Sequence, residues 1–272
     1  MRKIGKIALF LFLILVLIGT LFPLIWMFYS SLFSHTISLA SLADIFKQKL
    51  TLKNYAEVFS QIPFGKFLFN SVFVAVLVTL GNLFFCSLVG YAFARKRFPF
   101  KKSLFVSVVL VLMIPVHILI IPLFILIKFL GWYDSYLALI VPWLVSPLGI
   151  FLMRQYIEVL PKDLEEAARI DGAGEFKILF RVVLPLCKPA LAVVAIQVFL
   201  ANWNSFLFPF ILTSSENMRT VPVALALYQG YQTIDWPHLF AASGLATLPV
   251  LILFLFFQRQ IVAGLTTGAL KQ

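Results

Sequence analysis

The residues able to do chemistry in this chain are few and scattered. Three histidines, His35, His117 and His238, stand far apart, and Cys86 and Cys187 have no second cysteine or histidine at metal-ligand spacing. Neither a disulfide nor a metal centre is expected from that arrangement. A G-x-x-x-x-G-K-[ST] loop is absent, and Gly172-Ala-Gly174 lacks the lysine and hydroxyl that cradle phosphates, so it reads as a turn. No H-E-x-x-H helix, no G-x-S-x-G elbow and no paired intramembrane carboxylates occur. An enzyme reading has no constellation to build on.

Two polar groupings remain. The first is charged: six basic and six acidic side chains lie between Arg154 and Lys188. Each charge costs about 2.5–3.5 kcal/mol at a bilayer centre, so the twelve together would cost about 30 kcal/mol or more, and the segment must lie outside the hydrocarbon. The second is uncharged: Gln197, Asn202, Trp203, Asn204 and Ser205 sit within an apolar run. Positions 197 and 204 fall about 20° apart on a helix. Amides facing lipid are unfavourable, so these side chains face a neighbouring helix or a water-filled path. Asn82, Thr79 and His117, in earlier apolar runs, pose the same choice. Pro115 and Pro122 bracket His117 and predict a bent span around the path. A lining of aromatics and amides would favour a sugar over an ion.

The elements that position these groups follow from hydropathy. Of 272 residues 62% are hydrophobic and 12% charged, with mean hydropathy +1.01, the profile of an all-α polytopic membrane protein. Six segments are long enough to cross a bilayer, within one transmembrane domain spanning 1–272: Ile7–Leu32, Phe67–Ala94, Leu104–Ile127, Tyr136–Met153, Ala190–Leu212 and Leu239–Phe257. The fourth carries Pro142 and Pro147 and should kink or tilt. Arg2, Lys3 and Lys6 before the first run mimic a signal peptide, but the run is too long and lacks a small-residue cleavage pattern near Ser30–Phe33. Sixteen of the 22 Lys/Arg fall in the N-terminus, Arg95–Lys102, Arg154–Lys188 and the C-terminal tail. The positive-inside rule places that side, with both termini, in the cytoplasm. The net charge of +11 thus reflects topology and anionic headgroups, and nucleic-acid binding is not expected.

Within the charged insert (about 154–189), Pro161 ends one helical stretch and Asp163 is placed as an N-cap, with Glu166 completing a capping box. Leu164 to Asp171 makes about two turns, with Glu165 and Arg169 paired at i, i+4 and Gly172 as the left-handed closing residue. Ala167 and Ala168 leave a shallow surface that another protein can approach closely. A second amphipathic helix, about Glu175–Val183, should bury Phe176, Leu179 and Phe180. The residues alone leave two readings open: a docking face for a soluble partner, or an amphipathic loop lying on headgroups.

The spacing Glu166-Ala-Ala-x-x-Asp171-Gly172-Ala, followed by Leu184-Pro185 and Pro189, resembles the EAA loop of permease subunits in binding-protein-dependent ABC importers. Thr51-Leu-Lys-Asn-Tyr55, Asn70-Ser71, Trp203-Asn-Ser-Phe-Leu207, Arg219-Thr-Val-Pro222 and the tail Gln258-Arg259…Gly264-Leu-Thr-Thr-Gly268-Ala-Leu-Lys271 look like its carbohydrate branch, in particular the smaller, six-span permease of a maltose-type pair. Gln272 departs from the glycine many relatives place there. The resemblance implies a coupling helix, with Glu166, Ala167, Ala168, Arg169, Asp171 and Gly172 seated against a cytoplasmic ATPase subunit. It further implies two such ATPase subunits, which bind ATP and Mg, a second and distinct permease, and an extracytoplasmic solute-binding protein touching loop 213–238. This chain would be a non-catalytic, multi-pass subunit of a bacterial or archaeal inner membrane, without a cofactor of its own. Gln197, Asn202, Trp203, Asn204, His117 and Asn82 are the candidates for the translocation path. Sugar or oligosaccharide import is the leading reading. A polyol, glycerol-phosphate or peptide cargo, or a stand-alone channel or secondary carrier, are the alternatives.

Overall fold

The computed structural model describes residues 2–34, 49–228 and 234–269, with side chains for 5–34, 49–228 and 234–258. His35 lies outside them. Among the described residues regular structure is helical, apart from one isolated bridge between Phe33 and Leu50. Four helices are long and apolar enough to span a membrane: Gly5–Ser30, Phe64–Arg95, Tyr136–Glu158 and Trp236–Gln258. Counting each of two bent pairs as one span brings the number to six: Lys101–Val111 with Val116–Phe129, at 93°, and Glu175–Leu186 with Lys188–Trp203, at 84°.

The chain divides into two compact units, Met1–Lys66 with Ala224–Leu248, and Phe67–Val223 with Pro249–Gln272. In the first, the apolar stretch of the Gly5–Ser30 helix is exposed on every side, as a helix with no polar face must be in lipid. Its end is fastened by the Thr51–Tyr55 motif. Asn54 Nδ2 donates to the carbonyls of Ser31 (2.7 Å) and Phe33 (2.9 Å), and the Tyr55 and Ser31 hydroxyls share a 2.7 Å hydrogen bond. His238 sits between Asp235 (2.7 Å) and Glu57 (2.9 Å).

The second unit packs around the 32-residue Phe64–Arg95 helix. Val78, Cys86 and Tyr91 meet Met153 and Ile157 of the Pro147–Glu158 helix, together with Ile178, Leu179 and Val183 beyond the charged loop. Contact is close at Gly90, where a Cβ would stand 2.7 Å from Met153 Cβ and 3.0 Å from the Arg154 amide; small residues let membrane helices approach this way.

Three expected spans are not continuous; Tyr136–Met153 is broken by the 3-10 turn Val141–Trp143 ahead of Pro147. Leu104–Ile127 breaks after Val111, because Pro115 has no N–H to give and disfavours helical geometry at Ile114. Ala190–Leu212 stops at Asn204 and resumes as Leu207–Leu212, at the Asn202-Trp-Asn-Ser run whose short polar side chains compete for backbone groups. The last helix, by contrast, runs on through the expected tail, from Trp236 to Ala269.

Candidate functional site

Three helix interruptions converge. Residues 112–119, the 3-10 turn Val141–Trp143 and residues 204–206 border one cleft of about 470 Å³, lined by Val116, His117, Trp143, Ala201, Asn202, Asn204, Ser205, Phe206, Leu207 and Phe208. Irregular backbone at membrane depth persists only where protein or a water-filled cavity satisfies it. Phe208 organises the apolar wall: its ring stacks on His117 (centroids 6.0 Å apart) and meets Trp143 edge-on at 4.6 Å. Asn202 spends its amide N–H on the Val198 carbonyl (3.0 Å), while Asn204 is exposed to the cleft. No acidic or basic side chain lines this space; His117 supplies the one titratable group.

The other path candidates have different surroundings. Trp203 is buried against Phe199, in a stacked pair at 5.7 Å, and Ala75, and does not line the cleft. Gln197 is exposed and does not line the cleft. Asn82 is fully buried, donating to the carbonyls of Val78 (3.0 Å) and Trp143 (2.6 Å). It fixes the backbone that presents Trp143. Reading by residue type missed Trp143 and Phe208; Pro142 and Pro147 around the tryptophan were the available signal.

On one side of the cleft the chain segment 214–221 is held by two of the quoted motifs. Asn70 Nδ2 donates to the carbonyls of Asn217 and Arg219 (both 2.8 Å) and its Oδ1 accepts from the Tyr136 hydroxyl at 2.6 Å. Ser71 Oγ accepts the Val221 amide at 2.8 Å. Asp134 Oδ1 accepts from the Ser214 and Ser215 amides and the Ser215 hydroxyl at 2.9–3.1 Å. Burial would raise this carboxyl, but those three donors outweigh it and hold it below its ordinary range. The loop 213–238 is therefore structured in part, including a helix Val221–Tyr228; residues 229–233 lie outside the described ones.

The charged insert contains the short helix Asp163–Ile170. It begins one residue earlier than expected: Asp163 is its first helical residue, Lys162 precedes it, and no side chain caps it. Three first-turn acids, Asp163, Glu165 and Glu166, complement the helix dipole instead. Its end is as expected. Gly172 has φ 77°, and the Gly172 and Ala173 amides close onto the carbonyls of Arg169 (3.0 Å) and Ala168 (2.9 Å), a Schellman arrangement. Glu166, Ala167, Arg169, Asp171 and Gly172 are exposed, and Ala168 is half-buried. Arg169 is occupied internally, 3.7 Å from Glu165 and 3.3 Å from Glu175. After Gly174 the expected second helix is one α-turn, Glu175–Ile178, running into a π-turn, Leu179–Val183. Ile178 and Leu179 are buried, whereas Phe176 is 70% exposed and Phe180 is exposed too.

Glu165, expected only as the partner of Arg169, anchors this loop. It is 3% exposed and pairs with Arg95 Nε at 2.6 Å. Arg95 ends the Phe64–Arg95 helix and also donates to the carbonyls of Leu160 (2.7 Å) and Glu158 (3.4 Å). The Tyr91 hydroxyl donates to Glu175 Oε2 at 2.9 Å and lies 3.2 Å from Glu165 Oε2. Glu175, in the charged loop at the start of the Glu175–Leu186 helix, is held at a pKa of about 2 by its hydrogen bond to Lys96, with Tyr91 and Arg169 adding to it against partial burial. On the face away from this anchor Ile170 projects, 88% exposed, and Phe176 is exposed as well. Exposed apolar knobs on a charged loop mark a surface that another protein covers.

A chain of membrane-spanning helices with a broken-helix cleft and an anchored polar helix is a transport subunit by architecture. Residues 86–267 match the family described as binding-protein-dependent transport system inner membrane component, and the chain belongs to that family. It is 41% identical to the trehalose/maltose transport system permease protein MalG of Thermococcus litoralis, over 98% of this chain and 97% of that protein. It is 37% identical to the arabinooligosaccharides transport system permease protein AraQ of Bacillus subtilis, over 99% and 97%. The fold matches a chain in the crystal structure of a bacterial ABC transporter involved in import of the acidic polysaccharide alginate, with TM-score 0.82 at 22% identity, covering 94% of this chain and 96% of that one.

Proposed function

We propose that this chain is the permease subunit of an ATP-driven importer of a sugar or oligosaccharide. The observation that carries the reading is the cleft at the three helix breaks. Its aromatic wall of Trp143, Phe208 and the stacked His117 offers faces to the apolar side of a pyranose ring. Asn202, Asn204 and Ser205 offer hydroxyl-matched donors and acceptors without a fixed charge. Trp203 and Asn82 support the path from behind.

The Asp163–Ile170 helix, closed by Gly172, acts as the coupling helix, docking Glu166, Ala167, Ile170 and Phe176 against a cytoplasmic ATPase subunit. Two such subunits bind ATP and Mg; this chain holds neither. The Arg95–Glu165 pair passes displacement of the docked helix into the Phe64–Arg95 span. Two states of a packed bundle then give alternating access. A second, distinct permease completes the bundle, and a solute-binding protein delivers cargo to the segment around 214–228. Both termini and the coupling loop face the cytoplasm.

The test is reconstitution of the complex, with ATP enclosed, and measurement of trehalose, maltose and arabino-oligosaccharide uptake. Uptake of at least one should require ATP and the binding protein, and Glu166→Lys should leave hydrolysis but abolish uptake. Gradient-driven flux through the chain alone would refute the reading in favour of a carrier.

A further inference from the structure

A second pair of concavities lies outside the cleft and the coupling helix. One is a notch of about 240 Å³ lined by Lys101, Lys102, Arg154, Phe93 and Phe105. The other is a groove of about 410 Å³ lined by Phe93, Leu104, Ser107, Val108, Val111, Val145, Pro147 and Ile150, with Ser107 as its one polar side chain. Phe93 belongs to both, so the two are continuous. The direction is the same on both bordering helices. From Lys101 the groove follows Leu104 to Val111, about 10 Å along the axis, and from Arg154 it follows Ile150 back to Pro147.

The charge at the notch is unbalanced. Arg154 lies over the Phe105 ring, 4.1 Å from its centroid, and shares one guanidinium nitrogen with Glu158 at 3.0 Å. Lys101 gives one of its three donors to the Lys96 carbonyl at 2.8 Å. Among the described residues no carboxylate pairs with Lys101 or Lys102. Three cations thus face one carboxylate where helices enter the membrane, and the apolar groove leads inward from them. A solute passing through the protein has no use for such a shape, which is that of a headgroup and a chain.

We propose that the notch and groove hold one anionic phospholipid, its phosphate among Lys101, Lys102 and Arg154 and one acyl chain along Leu104–Val111 and Pro147–Ile150. Basic notches between membrane helices recognise anionic headgroups in this way. The site rests on the sidedness proposed above, which puts it in the cytoplasmic leaflet. It would brace the helix whose end, at Glu158 and Leu160, is held by Arg95 beneath the coupling loop.

The experiment is native mass spectrometry of the purified complex from nanodiscs of phosphatidylcholine doped with phosphatidylglycerol. Wild type should retain one phosphatidylglycerol that Lys101→Gln/Lys102→Gln releases at least fivefold more readily. Ser107→Trp, at an exposed position that fills the groove but leaves the cations, should release it too. Retention unchanged in the lysine variant overturns the site. Retention lost in the lysine variant but kept in Ser107→Trp, with competition by millimolar glycerol phosphate, overturns the lipid in favour of a free phosphate ester. Neither readout needs transport, so failure here is separable from failure of the importer reading.

Discussion

Removal of the Glu165 carboxylate by Glu165→Ala tests the central contact of the loop. Arg95 and Glu165 are 4% and 3% exposed and 2.6 Å apart, so the change leaves a guanidinium buried without its counter-charge. Breaking such a pair costs about 3–5 kcal/mol. The lower end applies, because Arg95 keeps the Leu160 and Glu158 carbonyls at 2.7 and 3.4 Å. About 3 kcal/mol is roughly a 150-fold shift in the ratio of anchored to released Asp163–Ile170 helix. Amide exchange of residues 163–173 in the assembled complex should therefore accelerate by about two orders of magnitude, with exchange around Asn70 and Tyr136 unaffected. Glu165→Gln, which keeps an acceptor, should fall between. Exchange within threefold of wild type in Glu165→Ala would refute the anchoring argument.

Gly172→Val places a β-branched residue at φ 77°; nothing lies within 4 Å of its Cβ, so backbone strain of about 1–3 kcal/mol is the whole effect, and Gly172→Asn should recover most of it in thermal unfolding. Asn82→Leu leaves the Trp143 carbonyl without its donor at a fully buried site, costing about 1–3 kcal/mol and raising the apparent KM for uptake while hydrolysis persists. Glu175 titrates near 2, below its ordinary value near 4.3, so its stabilising contribution is complete above that ordinary value and is lost as pH falls through the native one. The thermal advantage of wild type over Glu175→Gln should stay constant from pH 5 to 8 and shrink only below about pH 4; a loss between pH 6 and 8 would contradict this.

Hydropathy located four membrane segments outright and two more where each bent pair counts as one span, because a run of apolar side chains has no other stable environment, but it could not see where they break. Val111–Pro115 is as apolar as its neighbours, and the break there comes from a missing proline N–H; the break after Trp203 follows Asn202, whose amide bonds the Val198 carbonyl. The Gly172 turn was legible since only φ above zero ends a helix that way. The Asp163 cap was not, because Lys162 supplies the first carbonyl acceptor for the Glu165 and Glu166 amides. Glu165 was legible only as the i, i+4 partner of Arg169; its burial depends on Arg95, seventy positions away, which spacing within the loop cannot reveal. Asn202, Asn204 and His117 were chosen as polar residues in apolar surroundings and do share the cleft. Trp203 shared that motif and turned the other way.

The Phe64–Arg95 helix has one further consequence. Near its start Asn70 and Ser71 grip the 217–221 backbone, and its last residue grips the loop beyond Glu158. Thirty-two residues reach about 48 Å, more than a hydrocarbon layer. A single rod therefore has hold of the protein at both surfaces. In the proposed importer, a nudge delivered by whatever lands outside would be felt at the fuel-burning end without first crossing the cargo's chamber, and the reverse stroke would travel the same shaft.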